Sequence, residues 1–145
     1  GKKFMIYKFR TLYVNSNPYD ITPKNNHDPR ITRLGKVLRL SNLDEIPQFF
    51  NVLKGEMSVV GPRPEMPFIV NEYTEFQKKR LSVKPGVTGP WQLYGDKQKA
   101  IHENIEYDIH YIENQSLIGD LKIILKTCWY VMKETAKVFQ LKNGG

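Results

Sequence analysis

Apolar and polar residues alternate from the start of the chain, and Phe4 to Leu12 predicts a β-strand that sets Lys8 and Arg10 on the same side by its period of two. A polar loop from Asn15 to Asn26 follows. Asp28-Pro29 then has the form of an N-cap with proline at the first helical position, opening a short helix with Ile31, Leu34 and Leu38 on its apolar face. A second helix is predicted from about Asn42 to Lys54, stopped by Gly55. Pro47 is tolerated only in its first turn, so Asp44 and Glu45 fall at or just before the N-terminus. Beyond the rigid turn Gly61-Pro62-Arg63-Pro64, a helix to about Arg80 places Ile69, Tyr73 and Phe76 on its inner face. Lys84 to Trp91 reads as turns and short extended pieces forming a small hairpin. Ile101, Ile105, Ile109 and Ile112 predict a helix over 97–113.

The last helix, Leu117 to about Phe139, is the most amphipathic. Lys122, Lys126, Lys133 and Lys137 fall within a roughly 60° arc, while Leu121, Leu125, Cys128, Met132 and Phe139 occupy another. That face reads either as packed on the core or as an interfacial helix on anionic lipid, a reading that Trp129 favours because its ring suits the membrane interface. The fold class expected is α+β: a helix-dominated single domain with a few short strands or a small hairpin, and amphipathic interfacial helices.

Composition narrows the function. With 40% hydrophobic and 12% aromatic residues in 145, the chain can bury a core. A lone cysteine, Cys128, excludes an internal disulfide framework and a multi-cysteine zinc cluster. No apolar run approaches the ~20 residues of a spanning helix. The net charge of +7 calls for an anionic partner: nucleic acid, a membrane surface or a phosphorylated substrate. Residues 1–43 hold nine basic groups against Asp20 and Asp28, whereas 44–145 hold thirteen of each sign, so the whole excess precedes Asp44.

Asp44-Glu45 is the sharpest chemical signal. Adjacent carboxylates at a helix start serve capping, yet the positive helix end also favours the ionised form that a carboxylate nucleophile needs. Arg63, held between two prolines, is suited to bidentate phosphate contact, the alternative being a solvated turn. Lys8, Arg10 and Arg39 read as phosphate ligands or as a solvated basic face. The three histidines lack the i,i+4 spacing of a zinc site, and no glycine-rich phosphate loop is present.

Several motifs occur in a fixed order: Tyr7-Lys8-Phe9-Arg10-Thr11, Asp28 to Gly35, Leu43-Asp44-Glu45-Ile46-Pro47-Gln48, Asn51 to Glu65, Lys84 to Gly89 with Trp91-Gln92, and Asp108 to Leu125. Together they resemble the bacterial sugar transferases, monotopic phosphoglycosyl transferases acting on polyprenyl phosphate, over nearly the whole chain. The resemblance implies transfer of a sugar 1-phosphate from a UDP-sugar to undecaprenyl phosphate with release of UMP, at the cytoplasmic face of the bacterial inner membrane. It makes Asp44 the nucleophile of a phosphosugar-aspartyl intermediate and Glu45 a ligand of Mg²⁺. Arg39 and Arg63 match positions that contact phosphate or order the site, and Lys8 and Arg10 lie in a basic tag beside it. Lys122, Lys126, Trp129, Lys133 and Lys137 would face the membrane.

The chain departs from the family pattern upstream, at Pro90, where the family usually has a larger apolar residue, and at 94–96. Residues 1–145 read as a catalytic domain without the family's upstream re-entrant membrane helix, and Tyr94-Gly95-Asp96 replaces a polar-Gly-Arg tag, so no arginine role carries over to position 96. The competing readings are a basic nucleic-acid-binding module, for which no recognition motif is found, and an inactive relative that binds UDP-sugar without turnover.

Overall fold

A computed structural model describes residues 1–16, 28–96 and 98–143, with side chains to residue 136. Its elements run α1 (Arg33–Leu40), a 3₁₀ turn (Leu43–Glu45), α2 (Gln48–Leu53), β1 (Ser58–Val60), α3 (Pro67–Val70), α4 (Glu75–Lys78), a 3₁₀ turn (Lys79–Ser82), β2 (Gly86–Thr88), α5 (Pro90–Tyr94), a 3₁₀ turn (Ile101–Glu103), α6 (Ile105–Glu113) and α7 (Leu117–Asn143). Helices dominate, as expected. Most of the Asn15–Asn26 loop, His27 and Lys97, where the helix over 97–113 was to begin, lie outside the described residues. So do the side chains of Lys137 and Phe139.

The chain groups into two compact units, one of residues Gly1–Ile6 and Gln48–Cys128, the other of Tyr7–Pro47 and Trp129–Gly145. In the first, β1 and β2 pair in parallel, Ser58 with Gly86 and Val60 with Thr88. The hairpin expected around Lys84–Trp91 is therefore absent: the short extended piece finds a partner far upstream. Gly86 is required here, because a Cβ on it would lie 2.1 Å from the Gly61 backbone nitrogen. Gly55 stops α2 at φ 74°, as the sequence predicted.

Several predicted helices are shorter than expected, among them the one over 42–54, which is a 3₁₀ turn at Leu43–Glu45 followed by α2 from Gln48. The segment after Pro64 breaks at Tyr73, because Thr74 caps α4 by accepting from the Gln77 N–H while the Gln77 side chain accepts from the Thr74 N–H. Phe76 is consequently exposed rather than inward. Asn104 interrupts the segment that ends in α6, its buried amide donating to Asp96 O and Ala100 O. Among the described residues Met57, Val60 and Tyr73 are the buried hydrophobic side chains, beside buried polar groups that include Asn51, Arg80, Asn104 and Asp108.

The expected strand over Phe4–Leu12 is reduced, among the described residues, to one antiparallel bridge in the second unit, Leu12 with Ile31. The backbone of 8–13 finds scattered partners instead of a neighbouring strand: Phe9 N–H donates to Asp44 O, and Thr11 O accepts from Thr32 N–H. Asp28 does not cap α1. Its carboxylate takes three hydrogen bonds from Arg30, and Thr32 is the cap, accepting from Gly35 N–H at 2.8 Å. The Arg30 bonds hold the Asp28 carboxyl down at about 2.

Candidate active site

Asp44 and Glu45 stand on the tight turn Leu43–Glu45 and not inside a long helix. Ser41 ends α1 by donating to Val37 O and Leu38 O, and Asn42 then adopts a left-handed φ of 55°, which reverses the chain directly into the acidic pair. The Phe9–Asp44 backbone hydrogen bond fixes the turn against the 8–13 segment. Gly35 lets α1 approach that segment: a Cβ on it would meet Thr11 O at 2.1 Å. Lys8 is thereby brought to the pair, its Nζ 2.8 Å from Glu45 Oε1, with the Glu45 side chain only 15% exposed.

The helix-end reasoning about Asp44 is corrected by this geometry. Burial first, and the neighbouring Glu45 charge second, push the Asp44 carboxyl above its ordinary value, while Lys8 and Arg39 pull it back. Lys8 and Arg39 favour the ionised form of Asp44 against that burial. Of the basic candidates, Lys8 and Arg39 act on the acidic pair, and Arg10 is exposed two residues beyond Lys8.

Arg63 belongs to the other unit. Its guanidinium lies over the Trp91 ring, 5.6 Å from the centroid, and its carbonyl accepts from Arg80 Nη2 at 2.9 Å. The residues around Arg80 escaped the sequence reading. Arg80 Nε donates to Asp108 Oδ2 at 2.6 Å, and its Nη1 donates to Glu65 Oε2 and to the Tyr73 hydroxyl, each at 2.5 Å. Tyr73 donates to Glu65, and His102 Nδ1 lies 3.0 Å from Glu65 Oε1. The side chains of Arg80, Glu65 and Asp108 are at most 3% exposed. Burial raises Asp108 against the pull of Arg80; burial also opposes the Arg80 charge, but Asp108, Tyr73 and Glu65 outweigh it and hold Arg80 protonated. The one available signal was Glu65, which follows the Gly-Pro-Arg-Pro turn directly.

Along α7, Leu117, Ile118, Leu121, Leu125, Trp129 and Met132 are all exposed, and at about 100° per residue they share one side. Lys122, Lys126 and Lys133 are exposed beside that strip. Lys126 Nζ donates to the Tyr94 hydroxyl at 2.8 Å and sits over its ring. No described helix is long and apolar enough to cross a membrane, and no cluster of three or more metal-binding side chains occurs among the described residues.

The chain belongs to the bacterial sugar transferase family, whose model matches residues 1–134. It is 41% identical to the galactosyl transferase CpsE of Streptococcus agalactiae serotype III, covering 93% of this chain and 33% of that protein. It is 39% identical to the exopolysaccharide production protein ExoY of Sinorhizobium fredii, over 88% of this chain and 63% of the relative. Identity to the UDP-glucose:undecaprenyl-phosphate glucose-1-phosphate transferase of Escherichia coli K12 is 38%, over 88% and 29%. The chain thus spans between a third and two thirds of the first two relatives' length, and less than a third of the last.

Proposed function

We propose that this protein transfers a sugar 1-phosphate from a UDP-sugar to undecaprenyl phosphate through a phosphosugar-aspartyl intermediate on Asp44. The observation that carries the reading is the Asp44-Glu45 turn braced by Lys8 and Arg39, in a chain of the sugar transferase family. An Asp44 carboxylate oxygen attacks the β-phosphorus, the bond to the α-phosphate bridge breaks, and UMP leaves. An oxygen of the lipid phosphate then attacks the same phosphorus, releasing Asp44 as carboxylate and forming the lipid diphosphate sugar. Lys8 and Arg39 keep Asp44 ionised for the first attack, and Arg63 is assigned to substrate phosphate, with Arg10 in the same basic tag.

The adjacent carboxylates are hard oxygen donors of the kind Mg²⁺ takes alongside phosphate oxygens and water, so the donor set fits that ion, with Glu45 its principal ligand. When bound, Mg²⁺ would offset diphosphate charge. We further assign the exposed apolar strip of α7, flanked by Lys122, Lys126 and Lys133 and carrying Trp129, to the cytoplasmic surface of the inner membrane; the Lys137 assignment rests on the sequence alone. Residues 1–145 are read as one catalytic domain.

The test uses the protein with a UDP-sugar and Mg²⁺, with and without vesicles containing undecaprenyl phosphate. Without lipid acceptor, intact-mass measurement is expected to show a sugar phosphate added at Asp44. UMP release at the wild-type rate from Asp44→Asn would overturn the nucleophile assignment. A panel of UDP-sugars then identifies the donor.

A further inference from the structure

We propose that Arg80 is a positioning residue that acts through Arg63, an inference that rests on the assignment of Arg63 to substrate phosphate. Arg63 projects from a turn whose backbone is fixed at several points. Gly61 N–H donates to Thr88 O at 2.9 Å, Gly86 N–H donates to Pro62 O at 2.9 Å, and prolines flank Arg63 on both sides. The remaining main-chain acceptor, Arg63 O, takes its hydrogen bond from Arg80 Nη2. A guanidinium is planar and rigid, so fixing two of its nitrogens fixes the direction of the third. Asp108 holds Nε, Glu65 and Tyr73 hold Nη1, and Nη2 is left aimed at the Arg63 carbonyl.

The placement of this cluster goes beyond what stability requires. Two carboxylates face one guanidinium at nearly zero exposure, an arrangement that well-packed apolar side chains often match or exceed in stability. A buried fork gives direction, which apolar packing does not. At its far end the direction passes to the backbone of Arg63, whose own guanidinium rests on Trp91. Both ends of Arg63 are thus set before any ligand arrives, and a site prepared in this way loses less entropy when it binds an anion.

A double-mutant cycle separates positioning from bulk stability. Affinity for UDP is measured by calorimetry on the wild-type protein, Arg80→Lys, Arg63→Ala and the double variant, each shown to be folded by circular dichroism. Arg80→Lys keeps the buried positive charge but loses the fork, and is expected to weaken UDP binding about tenfold, or ~1.4 kcal/mol. In the Arg63→Ala background the same change is expected to cost less than twofold. Equal losses in both backgrounds, or no loss in either, would overturn the proposal. Should Arg80→Lys fail to fold, Glu65→Gln takes its place in the cycle, since it removes one anchoring charge at nearly constant volume. The functional reading fails by a different result, unchanged UMP release from Asp44→Asn, so the two failures are distinguishable.

Discussion

Replacing Arg80 with methionine puts the buried ion pairs to the test. Arg80→Met keeps much of the side-chain volume but leaves Glu65 and Asp108 in place at 3% and 0% exposure. Glu65 retains the Tyr73 hydroxyl and His102. Asp108 fares worse: its Oδ1 already lacks a hydrogen-bond partner, and Arg80 Nε is the donor to its Oδ2. Breaking a buried pair from one side costs about 3–5 kcal/mol, and the stranded Arg63 carbonyl adds ~1 kcal/mol. Against the roughly 5–15 kcal/mol of a typical domain, the variant is expected to sit close to its unfolding threshold. The sign of the pH dependence follows. Without the cation, the Asp108 carboxyl in the fold lies above its unfolded value, so the folded state holds the proton more tightly. The penalty is therefore full at neutral pH and shrinks as pH falls. Urea unfolding followed by circular dichroism, comparing variant with wild type at pH 5 and pH 7.5, measures both effects. The triple variant Arg80→Met/Glu65→Gln/Asp108→Asn, which leaves no buried charge at the three positions, is expected to regain at least half of the loss. A single-variant loss below about 1 kcal/mol, or one that grows on acidification, would refute the reasoning.

Two further outcomes follow from the site and its surface. Because burial and Glu45 raise the Asp44 carboxyl, Glu45→Gln is expected to shift the Asp44 titration to lower pH, read by carbon-13 NMR of the side-chain carboxyl; an unchanged or higher midpoint would show that Glu45 contributes no repulsion. Exchanging Lys122, Lys126 and Lys133 for Glu is expected to weaken binding to anionic liposomes by about a hundredfold or more in flotation, at about 1 kcal/mol per lysine near the surface, and unchanged flotation would return the α7 lysines to an ordinary solvated face.

Local chemistry was legible in the sequence and long-range partnership was not. Gly55 marked the end of α2, whose start lies at Gln48 and not near Asn42, and the two prolines around Arg63 announced a stiff turn. Asp28 looked like a cap because Pro29 follows it, but the donors two residues on, from Arg30, are nearer than a helix start. The first residues alternate as a strand does, yet among the described residues they make a single bridge, Leu12 with Ile31; Asn51, 46 residues away, supplies an amide donor to Met5 O. Beyond Glu65 the Arg80 cluster gave no signal, because the carboxylates that Arg80 meets lie 15 and 28 residues away and all three are types that usually face water. The motif marks Asp44, while burial, which the motif does not encode, is the largest influence on its carboxyl and pushes it up.

The distribution of apolar surface and the ion-pair interior belong together. Among the described residues the buried hydrophobic side chains are Met57, Val60 and Tyr73, while Phe50, Leu53, Leu117, Ile118, Leu125 and Trp129 are each more than 60% exposed. A water-soluble monomer gains most of its stability by reversing that assignment. Here the interior is framed by directional bonds, Asn51 to Met5 and Glu56 and Arg80 to its four partners, which hold a shape without a large oily core. Under the proposed function the bilayer supplies the apolar phase that the exposed side chains enter, and the polar frame holds Arg63 still while they do. Lipid affinity and the aim of Arg63 therefore rest on different residues, the first on α7 and its lysines, the second on Arg80, Asp108 and Glu65.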